Sequence, residues 1–217
     1  MNNNELIRKV CELTCVKKEV LINQTTVKYD TDNPFTKYYS LSTIKGAIEK
    51  YLSKEWDDQT LVHWACLYCW ILSAGFKDKV KENLNSFEQF IKNCITWELD
   101  GLSFFDSEGE EQGEMQEWVE LFENYDHIWQ TRKDWKAVYT EGPYAKENGD
   151  QYVLLINEKT KEYMIAGSDY LDNGYEDGYF KFVSPKEHLA IVKRLKNEGY
   201  SILKCVEDYY YEEMDNK

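Results

Sequence analysis

The spacing of hydrophobic residues changes character at Arg132, and that change limits the folds open to the chain. Before it, apolar residues recur with the period of an α-helix. Ile44, Ile48, Tyr51 and Leu52 mark one helix, and Leu61, Val62, Trp64, Ala65, Leu67, Trp70, Ile71 and Leu72 a second. The second is apolar nearly all round, the mark of a helix central to a bundle. After Arg132 come short β-branched and aromatic runs, "WKAVYT", "QYVLLIN", "KEYMIAG" and "GYFKFV", separated by polar turns. Such runs have strand composition, and Glu158-Lys159-Thr160 reads as a hairpin turn. "SPKE" from Ser184 starts a helix: Ser184 caps, Pro185 fills the first turn and Glu187 completes a capping box. Gly199 ends it, and "YSILKCV" is a last strand. The expected class is α+β: a helical N-terminal part followed by a small antiparallel β-sheet with one packed helix. The expected domains are 1–131, mainly helical, and 132–217, β-rich.

Local signals place the helix ends. Residues 5–16 have the spacing of a short helix, and Asn33-Pro34 marks a break. Ser42 or Thr43 is the expected cap of the first strong helix, Asp57 or Asp58 of the next, and Gly75 its stop. Residues 78–97 read as further helix, with Ser86 and Gln89 as its capping box.

Charge is the clearest functional signal. The formal net charge is -14, and it is unevenly spread. Residues 93–131 hold 11 acids and no Lys or Arg, whereas residues 1–92 hold 12 acids and 13 bases. Within the acidic 106–126 segment, Asp106, Glu108, Glu110, Glu111 and Glu114 lie in or beside a glycine-bearing loop. Met115, Trp118, Leu121, Phe122, Tyr125, Ile128 and Trp129 then fall on about half of a helix circumference, and Glu117, Glu120 and Glu123 on the other side. The rings are expected to dock the helix and the acids to face outward. A second candidate contact is the loop "DYLDNGYEDGYF", where Asp172, Tyr175, Glu176 and Asp177 combine charge with tyrosine area. A field of this sign repels nucleic acid and anionic membranes and attracts basic proteins. The same acids also serve a plain solubilising surface.

Motifs for chemistry are few. The chain has no Walker loop, GxGxxG, GxSxG or HExxH, and its three histidines fall in no recognised catalytic spacing. Cys66 and Cys69 form a CxxC, but in mid-helix between Trp64 and Trp70, where buried free thiols are expected rather than a redox pair or zinc site. "DSEGEEQGEMQE" echoes a calcium loop but has Glu111 where the sharp turn needs glycine. Asp134 and Lys136 at the start of a strand have the look of a metal-dependent nuclease, in the most acidic neighbourhood of the chain. The expectation is therefore no catalytic residue, no metal and no cofactor. No signal peptide and no apolar run long enough for a membrane span is visible. A cytoplasmic protein with reduced cysteines follows.

"IKGAIEKYLSKEWDDQTLVHWA", Ile44 to Ala65, resembles a helix-turn-helix hairpin of small bacterial toxin-immunity proteins. The matching positions are Tyr51 and Leu52 at the end of one helix and Trp64 and Ala65 in the next, over about a tenth of the chain. Trp56 in the turn and the cysteines of the second helix depart from that pattern. The resemblance implies a cytoplasmic antidote that binds a toxin, and it transfers no site residue. The expected function is a non-catalytic acidic inhibitor of a basic partner, either a toxin domain or a nucleic-acid-processing enzyme, with no direct binding to nucleic acid or membrane. A phage anti-defence protein, such as an anti-CRISPR or a DNA mimic against restriction, rests on the same physics. A metal-dependent nuclease-like enzyme at Asp134 and Lys136 is the enzymatic alternative.

Overall fold

A computed structural model describes residues 35, 39–72, 84–105, 112–141, 151–167 and 178–203. The expected helix at 5–16, the break at 33–34 and the stop at Gly75 lie outside them. In order, the described elements are α1 (Leu41–Leu52), α2 (Asp58–Leu72), α3 (Ser86–Leu102), α4 (Gln112–Gln130), β1 (Trp135–Glu141), β2 (Gln151–Asn157), β3 (Glu162–Gly167), β4 (Phe180–Phe182), α5 (Pro185–Asn197) and β5 (Ser201–Ile202). The class is α+β, with helices first and the sheet after.

The chain groups into two compact units, residues 1–84 with 95–122, and residues 85–94 with 123–217. The division follows from the packing of two helices. It falls inside α3 and α4, because the first turns of α3 and the last turns of α4 pack with strands. Phe87 and Phe90 lie 6.3 and 5.6 Å from the Phe180 ring of β4, and His127 lies 6.1 Å from Trp135 of β1.

In the first unit, α2 carries the core. Leu61, Trp64, Ala65 and Leu72 are fully buried, and Trp64 stacks on Tyr68 one turn along at 5.1 Å. Asp57 starts α2: its Oδ1 accepts from the Thr60 amide at 2.9 Å and from the Thr60 hydroxyl at 2.6 Å. Those bonds hold its carboxyl below the usual carboxylate range. α1 starts two to three residues earlier than expected. Ser40 is its N-cap and Ser42 and Thr43 lie within its first turn, so neither caps it. The Ser40 amide instead donates to the Tyr68 hydroxyl at 3.1 Å, tying the start of α1 to α2.

The cap of α3 is also displaced, by one residue, from expectation. Asn85 Oδ1 accepts from the Glu88 amide at 2.8 Å, and Glu88 Oε2 accepts from the Asn85 amide at 3.3 Å. This is a reciprocal box of the kind assigned to Ser86 and Gln89, shifted by one residue and with Glu88 in the place of the glutamine. Asn85→Ala is expected to lower stability by about 1 kcal/mol in urea unfolding. An unchanged midpoint would mean that other contacts hold this end of the helix.

In the second unit the sheet order is β4-β1-β2-β3-β5. β2 pairs antiparallel with β1 (Val138 opposite Leu154) and with β3 (Leu154 opposite Ile165). β4 pairs parallel with β1 and β5 parallel with β3. Among the described strands, only β2 therefore runs against the rest. The expected antiparallel sheet is its three-stranded centre, and the two outer strands make the whole sheet mixed. The centre is covered on both faces, since successive residues Val153 to Ile156 and Tyr163 to Ala166 are all buried. In the β2–β3 turn, Asn157 Oδ1 accepts from the amides of Lys159 and Thr160 at 3.0 and 3.3 Å. Lys161 takes the left-handed conformation, at φ 55°.

α5 carries the chain from β4 to β5, from one flank of the sheet to the other. Four strand spacings amount to about 19 Å, and a helix of 13 residues is about 20 Å long, so α5 suffices to cross. Its ends follow the sequence closely. The Ser184 hydroxyl accepts from the Glu187 amide at 3.3 Å, and Glu187 Oε2 accepts from the Ser184 amide at 3.0 Å. Gly199, at φ 75°, closes the helix, and the Tyr200 amide donates back to the Leu195 carbonyl.

Candidate interaction surface

α4 is built as its periodicity demands. Met115, Leu121, Phe122, Tyr125, Ile128 and Trp129 are buried, while Glu117, Glu120 and Glu123 are exposed. The three acids step by one turn less a fraction, so they form a slowly turning stripe about 9 Å long at 1.5 Å per residue. The buried rings restrict the rotation of the helix about its axis. The exposed carboxylates are consequently presented from a fixed backbone, which lowers the entropy lost on engaging a partner.

Of the other candidate residues, Glu114 lies in the first turn of α4. Asp106, Glu108, Glu110 and Glu111, and Asp172, Tyr175, Glu176 and Asp177 of the tyrosine-rich loop, lie outside the described residues, as does the first half of the calcium-like loop. The structure therefore locates the α4 stripe alone from the expected contact surface.

The residues with a chemical alternative are engaged elsewhere. Lys136 Nζ donates to Glu158 Oε1 at 2.8 Å, and Lys159 donates to Asp134. Both ions expected of a nuclease thus pair with the β2–β3 hairpin turn. The thiols correct the expectation of buried cysteines: Cys66 is exposed and Cys69 half-buried. Cys69 donates to the Thr96 carbonyl at 3.2 Å. Burial, then the charges of Asp100 and Cys66, push its thiol up to about 11, opposite to the direction a redox thiolate or metal ligand needs. Among the described residues, no group of three or more His, Cys, Asp or Glu is placed to hold a metal ion. Among them also, no helix is long and apolar enough to cross a membrane.

Several features of the chain carry no distinctive sequence signal. Arg132 binds Glu88 at 2.5 Å and lies over the Trp129 ring at 4.8 Å, joining the end of α4 to the start of α3. His127 is hydrogen-bonded to Glu162 Oε2 at 2.8 Å, and the Thr160 hydroxyl donates to the same oxygen at 2.6 Å. Burial raises the Glu162 pKa, and these two bonds outweigh it to leave a net lowering. The Arg132–Glu88 and His127–Glu162 partners are distant in sequence, and only the fold brings them together. No family model, curated protein or solved structure matches the chain.

Proposed function

We propose that this chain is a non-catalytic acidic inhibitor that binds and blocks a basic protein, acting in the cytoplasm as an immunity-type antidote to a bacterial toxin. The observation that carries the reading is α4, a helix anchored by buried rings with Glu117, Glu120 and Glu123 exposed along its outer side. Opposed charge gives fast, salt-sensitive encounter and selects partners by sign. The pairing of Lys136 with Glu158 and of Asp134 with Lys159 favours binding over hydrolysis at that end of β1. The α1–α2 hairpin, with Trp64 and Ala65 buried, is compatible with the likeness to immunity proteins. A phage anti-defence protein would use the same surface against a nucleic-acid-processing enzyme, its carboxylates taking the place of phosphates.

The decisive experiment pairs capture of the partner from the host or its prey, read by mass spectrometry, with charge reversal. Glu117→Lys, Glu120→Lys and Glu123→Lys together are expected to leave the circular dichroism spectrum intact. They should weaken partner binding by more than tenfold at low salt, on the order of 0.5–1 kcal/mol or more per reversed contact. A captured toxin supports the antidote and a captured nuclease or effector the anti-defence role. Undiminished affinity after the triple reversal would remove the stripe from the interface.

A further inference from the structure

Two large aromatics of the first unit stand in solvent. Trp97 on α3 is 48% exposed, and Phe104, in the turn that follows α3, is 79% exposed. The amides of Ser103 and Phe104 donate to Leu99 and Gly101, so the helical winding continues past Leu102. Trp97, Gly101 and Phe104 thus recur at i, i+4 and i+7 and share one face. Asp100 and Gly101 between them are exposed too, while Ile95, Leu99 and Leu102 are fully buried. Trp118 of α4 reaches this face: its Cη2 would lie 3.2 Å from a β-carbon at Gly101. Within one turn of Trp118, α4 carries the exposed Glu117 and Glu120.

Single apolar residues on a surface are ordinary. Two large rings aligned on one face, with the exposed Asp100 between them in sequence and Trp118 against Gly101, make a mixed aromatic and acidic surface, to whose field Glu117 and Glu120 add from the outer side of α4. We propose that Trp97 and Phe104 are the apolar anchor of this surface, and that they receive an arginine-bearing, apolar segment of a basic protein. The inference rests on the acidic-inhibitor reading and adds to it the contact residues and the chemistry of the segment received. Charge complementarity selects the occupant, since the exposed charges on and near this face, Asp100, Glu117 and Glu120, are all acidic. Arginine suits it better than lysine, because guanidinium stacks on an indole face and pairs with a carboxylate through two parallel bonds. The same negative field disfavours an anionic membrane.

Three dye-labelled peptides of equal length test this by fluorescence anisotropy at low salt: an amphipathic Arg/Leu helix, its Lys/Leu counterpart, and an Arg/Ser peptide with no apolar side chain. The Arg/Leu peptide is expected to bind tightest. Trp97→Ala with Phe104→Ala should weaken it by about tenfold or more and leave the Arg/Ser peptide unchanged. Trp97→Tyr with Phe104→Tyr should retain most of the binding. Glu117→Lys with Glu120→Lys should weaken all three peptides. If the alanine pair changes no affinity while charge reversal weakens every peptide, the anchor is overturned and the acidic reading survives. If the intact protein binds none of the three, both fall. Binding to phosphatidylcholine vesicles that is lost in the alanine pair, with no effect on the peptides, would assign the rings to a lipid surface and overturn the inference.

Discussion

Trp64→Ala is expected to destabilise the first unit by about 3–5 kcal/mol, the range for truncating a buried aromatic. Trp64 is fully buried. It stacks on Tyr68 at 5.1 Å and lies 6.3 Å from Trp56 in the α1–α2 turn. Removing the indole therefore takes away three kinds of support: its own burial, the stack along α2, and the surface on which the turn residue rests. Trp56 also carries the Lys50 ammonium 5.1 Å from its ring. Trp64→Phe keeps a ring in place and should cost markedly less. Urea unfolding measures both. A loss below about 1 kcal/mol for Trp64→Ala would show that α2 is not the organising element of its unit.

Glu98→Gln and His188→Gln are expected to tilt the dependence of stability on pH in opposite directions. His188 of α5 is fully buried, and burial pushes its pKa down to about 4 from 6.5. The unfolded chain therefore binds this proton more readily. The stability contributed by neutral His188 is full above pH 6.5 and is lost as pH falls toward 4. Glu98 of α3 behaves in the reverse sense. Burial pushes its carboxyl up to about 7 from 4.5, so its contribution is full below pH 4.5 and is lost as pH rises through 7. Each shift corresponds to about 3 kcal/mol at most, less for Glu98, which keeps some contact with water. Between pH 4.5 and 6.5 the two slopes oppose each other. The urea midpoint of Glu98→Gln should therefore fall more steeply with acidification across that window than the unsubstituted protein's. That of His188→Gln should rise. Identical profiles for all three proteins would remove both groups from the linkage. Asp57, Glu158, Glu162 and Glu187, all with lowered pKa values, lose their contributions as pH falls through their depressed pKa values, so they add an acid-side loss below about 4.5 that is common to every variant.

What the amino-acid sequence made legible follows from the range over which each determinant acts. The α5 capping box and the Gly199 stop are settled within four residues, and both were readable. The division of α4 into ring-bearing and acidic sides depends on one helix period, and it was readable too. The α3 cap was displaced because Asn85 and Ser86 are both good caps and each has a suitable partner three residues on. The choice of Asn85 places Glu88 where Arg132 meets it, and that partner is 44 residues away. The parallel outer strands escaped because runs of three and two residues are too short to show alternation or direction. Trp97 and Phe104 escaped for another reason: sequence displays the hydrophobicity of a side chain, whereas the side of α3 that meets water is set by packing. Of the expected contact surface, the α4 acids alone fall among the described residues. They were visible because charge and helical period coincide there.

The brevity of β4 and β5 has its own consequence. Each flank of the sheet ends in a strand of three or two residues, beside partners of seven and six. An open row of backbone amides and carbonyls invites other chains to add on, and such truncated flanks offer too little backbone to template that growth. Among the described residues, the outermost strands of the sheet thus give another chain little main chain to extend.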